Sequence, residues 1–181
     1  MKLKSVIIAV LLLVGGIVNK VQADIPDPKV LRKQLLVALE RRSLTDSLYK
    51  ELASAANKSP INVCYLGVVQ ALKAKHAWNP YFKVKFLNDS EKTLQTAVSR
   101  EPDNIEIRFM RFSIEHNVPG FVGYNKHLAA DKDEMIRQLN KRYYATADHE
   151  VVVTIIKFLI NSKRCTPHEN DVLHKQLAAL K

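Results

Sequence analysis

The sequence predicts an all-α protein of antiparallel helical hairpins, forming a bundle or a short solenoid of about seven to eight helices. Apolar residues recur every three to four positions through most of the chain, which is the period of an amphipathic helix. Helix-start signals also recur, because Asp27-Pro28, Ser59-Pro60 and Thr166-Pro167 each place a capping residue before a proline. Glycines are too scarce for the many tight turns of an all-β fold.

The first 23 residues have the pattern of an export signal. Lys2 and Lys4 precede an apolar run over residues 6–18, and Val21-Gln22-Ala23 supplies the small residues that a signal peptidase requires. We therefore expect cleavage between Ala23 and Asp24, and a periplasmic or secreted protein with one helical domain over residues 24–181. A retained membrane anchor is the less favoured alternative, because a spanning helix needs roughly 20 apolar residues.

Four helices are predicted in the first half of this domain. Helix one runs to about Arg42, and Ser43 caps the second helix. The third runs from Ser59 to about residue 77, where Trp78-Asn79-Pro80 breaks the pattern because proline disfavours helical geometry at the residue before it. Helical periodicity then resumes and stops at Pro102.

Four further helices, separated by irregular segments, are predicted in the second half of this domain. Residues 105–116 form a helix that is apolar around much of its circumference, which is typical of a central helix. Residues 117–124 form an apolar loop packed against the body, and residues 128–144 return to helix. Residues 150–161 contain three consecutive valines, but their length favours a buried helix over a strand. A capping box at residues 166–169 starts the last helix.

Residues 60–105 contain part of a known repeat signature. The positions that match it are Leu66, Gly67, Ser90, Leu94, Ala97 and Pro102. This segment resembles a tetratricopeptide repeat, although the Leu-Gly pair lies too far upstream for the standard 34-residue period. The insertion at residues 78–80 accounts for the excess. The resemblance implies a scaffold that binds partners and carries out no chemistry.

A wider pattern covers most of the domain. The signal peptide, the tetratricopeptide-like hairpin and the segments 102–112, 118–124 and 166–170 together resemble a group of uncharacterised exported bacterial proteins, chiefly from Bacteroidota. That resemblance implies export and a helical fold, and it brings no activity with it.

No catalytic, cofactor or metal motif is complete. No two of the six histidines are four residues apart with a glutamate between them, as a helical zinc protease site requires. The acidic cluster of Asp131, Asp133 and Glu134 lacks the glycine of a calcium loop and is better explained by the dipole of a helix start. Ser47 and Lys50 match Ser-x-x-Lys without its companion motifs. We therefore predict no enzyme.

Several aromatic and arginine residues are candidates for a partner-binding surface, since these residue types dominate binding hot spots. The candidates are Trp78, Tyr81, Arg108, Arg111, Phe121 and Tyr124. Two alternatives compete with this interpretation. The aromatic side chains could pack the ends of neighbouring helices, and Arg108, Arg111 and Glu115 could form an internal ion-pair network on their shared helix face.

Composition does not decide which partner the protein binds or whether its two cysteines form a disulfide. The chain has 28 Lys and Arg against 18 Asp and Glu, and residues 1–23 hold three of the lysines and no acid, so the mature domain carries +7. Cys64 and Cys165 could form a disulfide after export or remain as free thiols. We expect a scaffold that binds another envelope or secreted protein and no nucleic acid. The alternatives are a binder of anionic lipid or acidic glycan, and an enzyme of undetected type.

Overall fold

The computed structural model describes residues 26–56, 58–120, 123–142, 144 and 147–180. Its helices are α1 (Pro28–Ala38), α2 (Arg42–Ser54), α3 (Pro60–His76), α4 (Pro80–Arg100), α5 (Ile105–Asn117), α6 (Leu128–Lys141), α7 (His149–Asn161) and α8 (Pro167–Ala179). The described part of the chain contains no strand, so the predicted all-α class is confirmed. The predicted signal peptide at residues 1–23 lies outside these residues.

Five of the eight described helices begin at a residue whose side chain caps the first turn. The side chains of four cap residues accept hydrogen bonds from the first turns of α1, α3, α4 and α5, and the caps are Asp27, Ser59, Asn79 and Asn104. Thr166 and Glu169 form the predicted capping box of α8. These local bonds satisfy backbone N–H groups that have no partner within the helix, which fixes where each helix begins.

The predicted boundary between the first two helices is wrong. Helix α1 ends at Ala38 instead of Arg42, and α2 begins at Arg42 without the expected Ser43 cap. The Thr45 hydroxyl donates to the Ala38 carbonyl at 2.9 Å, and the Lys75 ammonium donates to the next carbonyl at 2.6 Å. Side chains of α2 and α3 therefore stabilise the early end of α1.

The predicted end of α6 is also too late. This helix ends at Lys141, three residues before the predicted boundary, and Arg142 adopts a left-handed backbone with φ of 56°. The left-handed residue ends the helix because its N–H bonds back to the carbonyls of the last turn. The valines at residues 151–153, in contrast, lie in α7 as predicted, and Val151 and Val152 are buried.

Helices α3 and α4 form a close antiparallel hairpin. The Ser90 hydroxyl donates to the Gly67 carbonyl at 2.7 Å, which ties the two backbones together. A Cβ placed on Gly67 would lie only 2.8 Å from Cγ of Leu94, so glycine allows the helices to approach. Leu94 and Ala97 are buried in the same contact.

The buried apolar side chains form two clusters. The first lies among α1, α2, α3 and α4, and the second lies among α5, α6, α7 and α8. Helix α5 contributes to both, because Ile107 belongs to the first cluster while Phe109 and Phe112 belong to the second. Met110 packs against both clusters. This position agrees with the central helix that its apolar circumference predicts. Among the described helices, none is long and apolar enough to cross a membrane.

Candidate functional site

Large apolar side chains are exposed at the turn between α3 and α4. We call Trp78, Tyr81, Phe82 and Val84 the aromatic tip. Trp78 is 92% exposed and Tyr81 is 68% exposed, while Phe82 and Val84 are each about half exposed. The interpretation that Trp78 and Tyr81 pack the ends of neighbouring helices is therefore wrong.

The local sequence places the aromatic tip clear of the core. Helix α3 ends at His76 with an extended residue after it, and Asn79 caps α4 by accepting a 2.8 Å hydrogen bond from the Tyr81 N–H. Pro80 occupies the first turn of α4 and fixes its entry. Every residue from 78 to 85 is exposed, so the start of α4 stands beyond the packed body of the hairpin.

An aromatic cluster joins the tip to α2. The rings of Phe82 and Phe86 lie 6.4 Å apart, and the Phe86 ring meets the Tyr49 ring edge-on at 6.4 Å. The Lys73 ammonium lies 5.0 Å from the centroids of both the Tyr49 and Phe86 rings and donates to Asp46 at 2.5 Å. These cation–π and ion-pair contacts hold the base of the tip in one position.

The sequence around the tip contains lysines and no acidic residue. No Asp or Glu occurs between Glu51 and Asp89 in the sequence. We call Lys75, Lys83 and Lys85 the basic collar. Lys85 donates to Asp89 at 2.7 Å, and this hydrogen bond raises the pKa of the ammonium. Exposed aromatic side chains and lysines therefore occupy the same end of the hairpin.

A shallow depression of about 280 Å³ continues from the tip along α4. Its lining residues are Tyr81, Val84, Lys85, Asn88, Asp89 and Lys92. The Tyr124 hydroxyl donates to the Asn88 side chain nearby, and Tyr124 itself is buried. Tyr124 thus packs the segment after α5 against α4, and it does not present its ring to a partner.

The predicted arginines lie in a different part of the molecule from the tip. The guanidinium of Arg111 donates to both carboxylate oxygens of Asp131, at 2.7 and 2.6 Å, and also to Gln95 at 2.6 Å. The Arg111 side chain is 4% exposed and that of Asp131 is fully buried. Arg108 donates to the same carboxylate at 2.9 Å. Arg111 is therefore not part of a binding surface, and the internal ion-pair network is the correct alternative.

The predicted network is correct for the two arginines but does not include Glu115, and Phe121 is not described. Glu115, the third member of the arginine stripe, accepts hydrogen bonds from the His127 N–H at 2.9 Å and approaches its ring Nδ1 at 2.5 Å. Phe121 lies outside the described residues. The predicted surface is thus reduced to Trp78 and Tyr81, and the structure adds Phe82 and Val84 to it.

A second polar network links distant helices and carries no motif in the sequence. Glu106 accepts hydrogen bonds from the Tyr65 hydroxyl at 2.6 Å and from the Arg32 guanidinium at 3.1 Å. Arg32 also donates to Asp148, at the start of α7, at 3.1 Å. Burial and the neighbouring Glu106 carboxylate raise the pKa of Tyr65. Its members come from four elements up to 116 residues apart, so no local spacing could reveal them.

A larger depression of about 540 Å³ lies at the turn between α2 and α3. It is lined by Ala56, Lys58, Ser59, Val63 and Arg100. Lys58 donates to the carbonyls of Ala53 and Ala55, and the Ser59 hydroxyl caps α3. Neither side chain is available as a catalytic base or nucleophile, because both complete helix ends.

Both cysteines are free thiols. Cys64 lies in the first core cluster, whereas Cys165 packs against the second, so the disulfide that their number allowed is not formed in this structure. Burial raises the pKa of the Cys64 thiol well above its usual range. Within the described ranges, no three His, Cys, Asp or Glu side chains converge as a metal site would require.

Comparison with known proteins identifies no relative. No family model matches the chain, and neither a curated protein nor a solved structure matches it significantly. The function must therefore be argued from the geometry of the aromatic tip.

Proposed function

We propose that this protein is an exported helical scaffold of the cell envelope and that it docks on its partner through the aromatic tip. The observation that carries this proposal is the 92% exposure of Trp78 beside three other exposed apolar side chains. Soluble proteins seldom leave contiguous apolar patches in water unless the patch is an interaction site. Covering these side chains gives the free energy for docking.

The rigidity of the hairpin supports this proposal. The Ser90–Gly67 hydrogen bond and the contact of Leu94 with Gly67 fix α3 against α4, while the Phe86–Tyr49 contact fixes the start of α4 against α2. A preorganised surface loses little conformational entropy when it binds, so more of the contact energy appears as affinity. The same close helix contact supports the resemblance to a tetratricopeptide unit, which implies an interaction scaffold.

We propose no catalytic step. At the larger depression Lys58 and Ser59 complete helix ends, and at the smaller depression Lys85 pairs with Asp89. The strongest polar networks, around Asp131 and Glu106, are packed between helices and do not line either depression. No observation therefore favours the enzyme alternative over docking.

Site-specific photocrosslinking tests the proposal in the native envelope. The full chain is produced in its own cells with a photoreactive phenylalanine analogue in place of Tyr81, and adducts are identified by mass spectrometry. The matched control carries the analogue in place of Leu36 on α1, which is 69% exposed and distant in sequence from the tip. Because the crosslink forms only within reach of the modified side chain, it reports what touches the tip.

We expect a dominant adduct from position 81 that disappears when Trp78→Ala is added, and no such adduct from position 36. The proposal is wrong if position 81 gives no adduct, or if both positions give the same set. An adduct that survives Trp78→Ala would also overturn it, since the tip would then not be needed for docking.

A further inference from the structure

We infer that the aromatic tip docks on the surface of an anionic phospholipid bilayer, with its apolar side chains among the headgroups and the exposed Lys83 against the phosphates. This inference rests on the proposed function, because it names the chemistry of the surface that the tip contacts. Its support comes from the exposure of the tip, its charge and its separation from the packed core.

The exposure of the tip fits a bilayer better than a protein partner. Trp78 and the first residues of α4 lie at the end of the hairpin, where every residue from 78 to 85 is exposed. Hot spots between proteins lie in well-packed, desolvated pockets, whereas tryptophan and tyrosine at a bilayer interface stand among headgroups with an apolar ring and a polar edge. Trp78 and Tyr81 are the two most exposed of the four side chains at the tip.

The charge around the tip also favours an anionic bilayer. Lysine is depleted at interfaces between proteins, but each lysine near an anionic bilayer contributes about a fivefold gain in affinity. Two carboxylates do lie close to the collar, and they pair with it: Lys75 contacts Glu40 at 2.8 Å and Lys85 contacts Asp89 at 2.7 Å. Lys83 is exposed between Phe82 and Val84.

The exposed start of α4 separates the tip from the packed core. Residues 80–85 are all exposed, and at 1.5 Å per residue they extend about 9 Å along the helix axis. The ring contacts of Phe86 with Tyr49 begin just beyond this length, so the core of the protein stays in water.

The tryptophan itself supplies the test, because Trp78 is the only tryptophan of the chain. The full chain is mixed with vesicles of phosphatidylglycerol or of phosphatidylcholine, and its tryptophan emission is recorded with and without an aqueous quencher. The apolar stretch at residues 6–18 could also bind vesicles, so the effect of the tip is read from variants that all retain this stretch.

We expect the emission to move to shorter wavelength and to be protected from the quencher with phosphatidylglycerol alone, and this effect should weaken as salt increases. Lys83→Gln should lower the vesicle affinity about fivefold, while Lys33→Gln at an exposed position of α1 leaves it unchanged. Tyr81→Ser should lower the affinity about tenfold or more, and the equally exposed Leu36→Ser should not.

The outcomes separate this inference from the proposed function. An equal response to both lipids, or equal effects of the lysine variants at positions 83 and 33, overturns the anionic-bilayer inference. If no vesicle changes the emission while crosslinks from position 81 identify a protein, the inference is wrong and the proposed docking function stands. If vesicles have no effect and the tip gives no crosslink, both are wrong.

Discussion

Replacing Gly67 with alanine tests the close contact between α3 and α4. A Cβ at this position would lie 2.8 Å from Cγ and 3.0 Å from Cδ2 of Leu94, and 3.3 Å from its backbone nitrogen. The closest of these atoms is the branch point of the Leu94 side chain and the third belongs to its main chain, so they cannot swing aside as the end of a flexible side chain could. The hairpin must therefore open slightly, or Leu94 must leave its rotamer.

Two opposing effects determine the size of the change. Alanine is more favourable than glycine inside a helix by about 1 kcal/mol, whereas overpacking a buried contact costs about 1–3 kcal/mol. Since the obstructing atoms are not free to move, we place the overpacking cost in the upper half of that range. The expected net loss for Gly67→Ala is therefore about 1–2 kcal/mol in the free energy of unfolding.

A double-mutant cycle isolates the contact. Leu94→Ala alone should cost about 2–5 kcal/mol, because Leu94 is 1% exposed and its removal leaves a cavity. The double variant should lose less than the sum of the two single losses, because truncating the leucine removes the obstruction to the new Cβ. Urea unfolding followed by circular dichroism gives the four free energies, with an unchanged m-value as the check on two-state behaviour.

The matched control is Gly120→Ala, because nothing lies within 4 Å of a Cβ at that glycine. Its effect should stay within about 0.5 kcal/mol. The reasoning is refuted if Gly67→Ala is as stable as the unchanged protein, or if the two substitutions in the cycle are strictly additive.

Asp131→Asn leaves the Arg111 guanidinium buried without its charge partner, so the free energy of unfolding in urea should fall by about 3–5 kcal/mol. A loss below about 1 kcal/mol would contradict the buried network. The hydrogen bond from the Arg137 guanidinium lowers the pKa of Glu134, so the ionised carboxylate stabilises the folded protein at neutral pH. That contribution should disappear as the pH falls through and below the usual glutamate value of about 4.3, and Glu134→Gln should flatten this part of the stability profile. A thiol reagent should label Cys165 in the folded protein and Cys64 only after unfolding, because Cys64 is fully buried. Mass spectrometry of peptides labelled without denaturant checks this, and early labelling of the buried thiol would contradict it.

The starts of α1, α3 and α8 could be predicted from the sequence because the responsible contacts are local. A capping residue such as Ser59 lies within three residues of the N–H group that it satisfies, so the signal is visible in a short window. The end of α1 depends on Thr45 and Lys75, which reach it from other helices. The apolar pattern continues past Ala38, so periodicity alone extended the helix too far.

The site was only partly predictable for the same reason. The arginine stripe on α5 fits a groove wall and an internal network equally well, and Asp131, 20 residues beyond Arg111, decides between them. Helical periodicity shows which residues share a face, but not whether another element covers that face. The sequence left Trp78 open between a binding surface and the packing of helix ends, and its exposure is known only from the position of the turn between α3 and α4.

The two apolar clusters meet at α5, and this arrangement limits how the chain can be divided. Ile107 faces the first interior, while Phe109 and Phe112 face the second, so one helix of 13 residues forms a wall of both. Dividing the chain after α5 would expose the face of α5 that packs in the second cluster. Dividing it before α5 would remove one side of the first cluster. A substitution of a buried residue in α5 therefore alters the packing of both clusters, whereas a substitution in α2 or α8 directly alters the packing of one cluster.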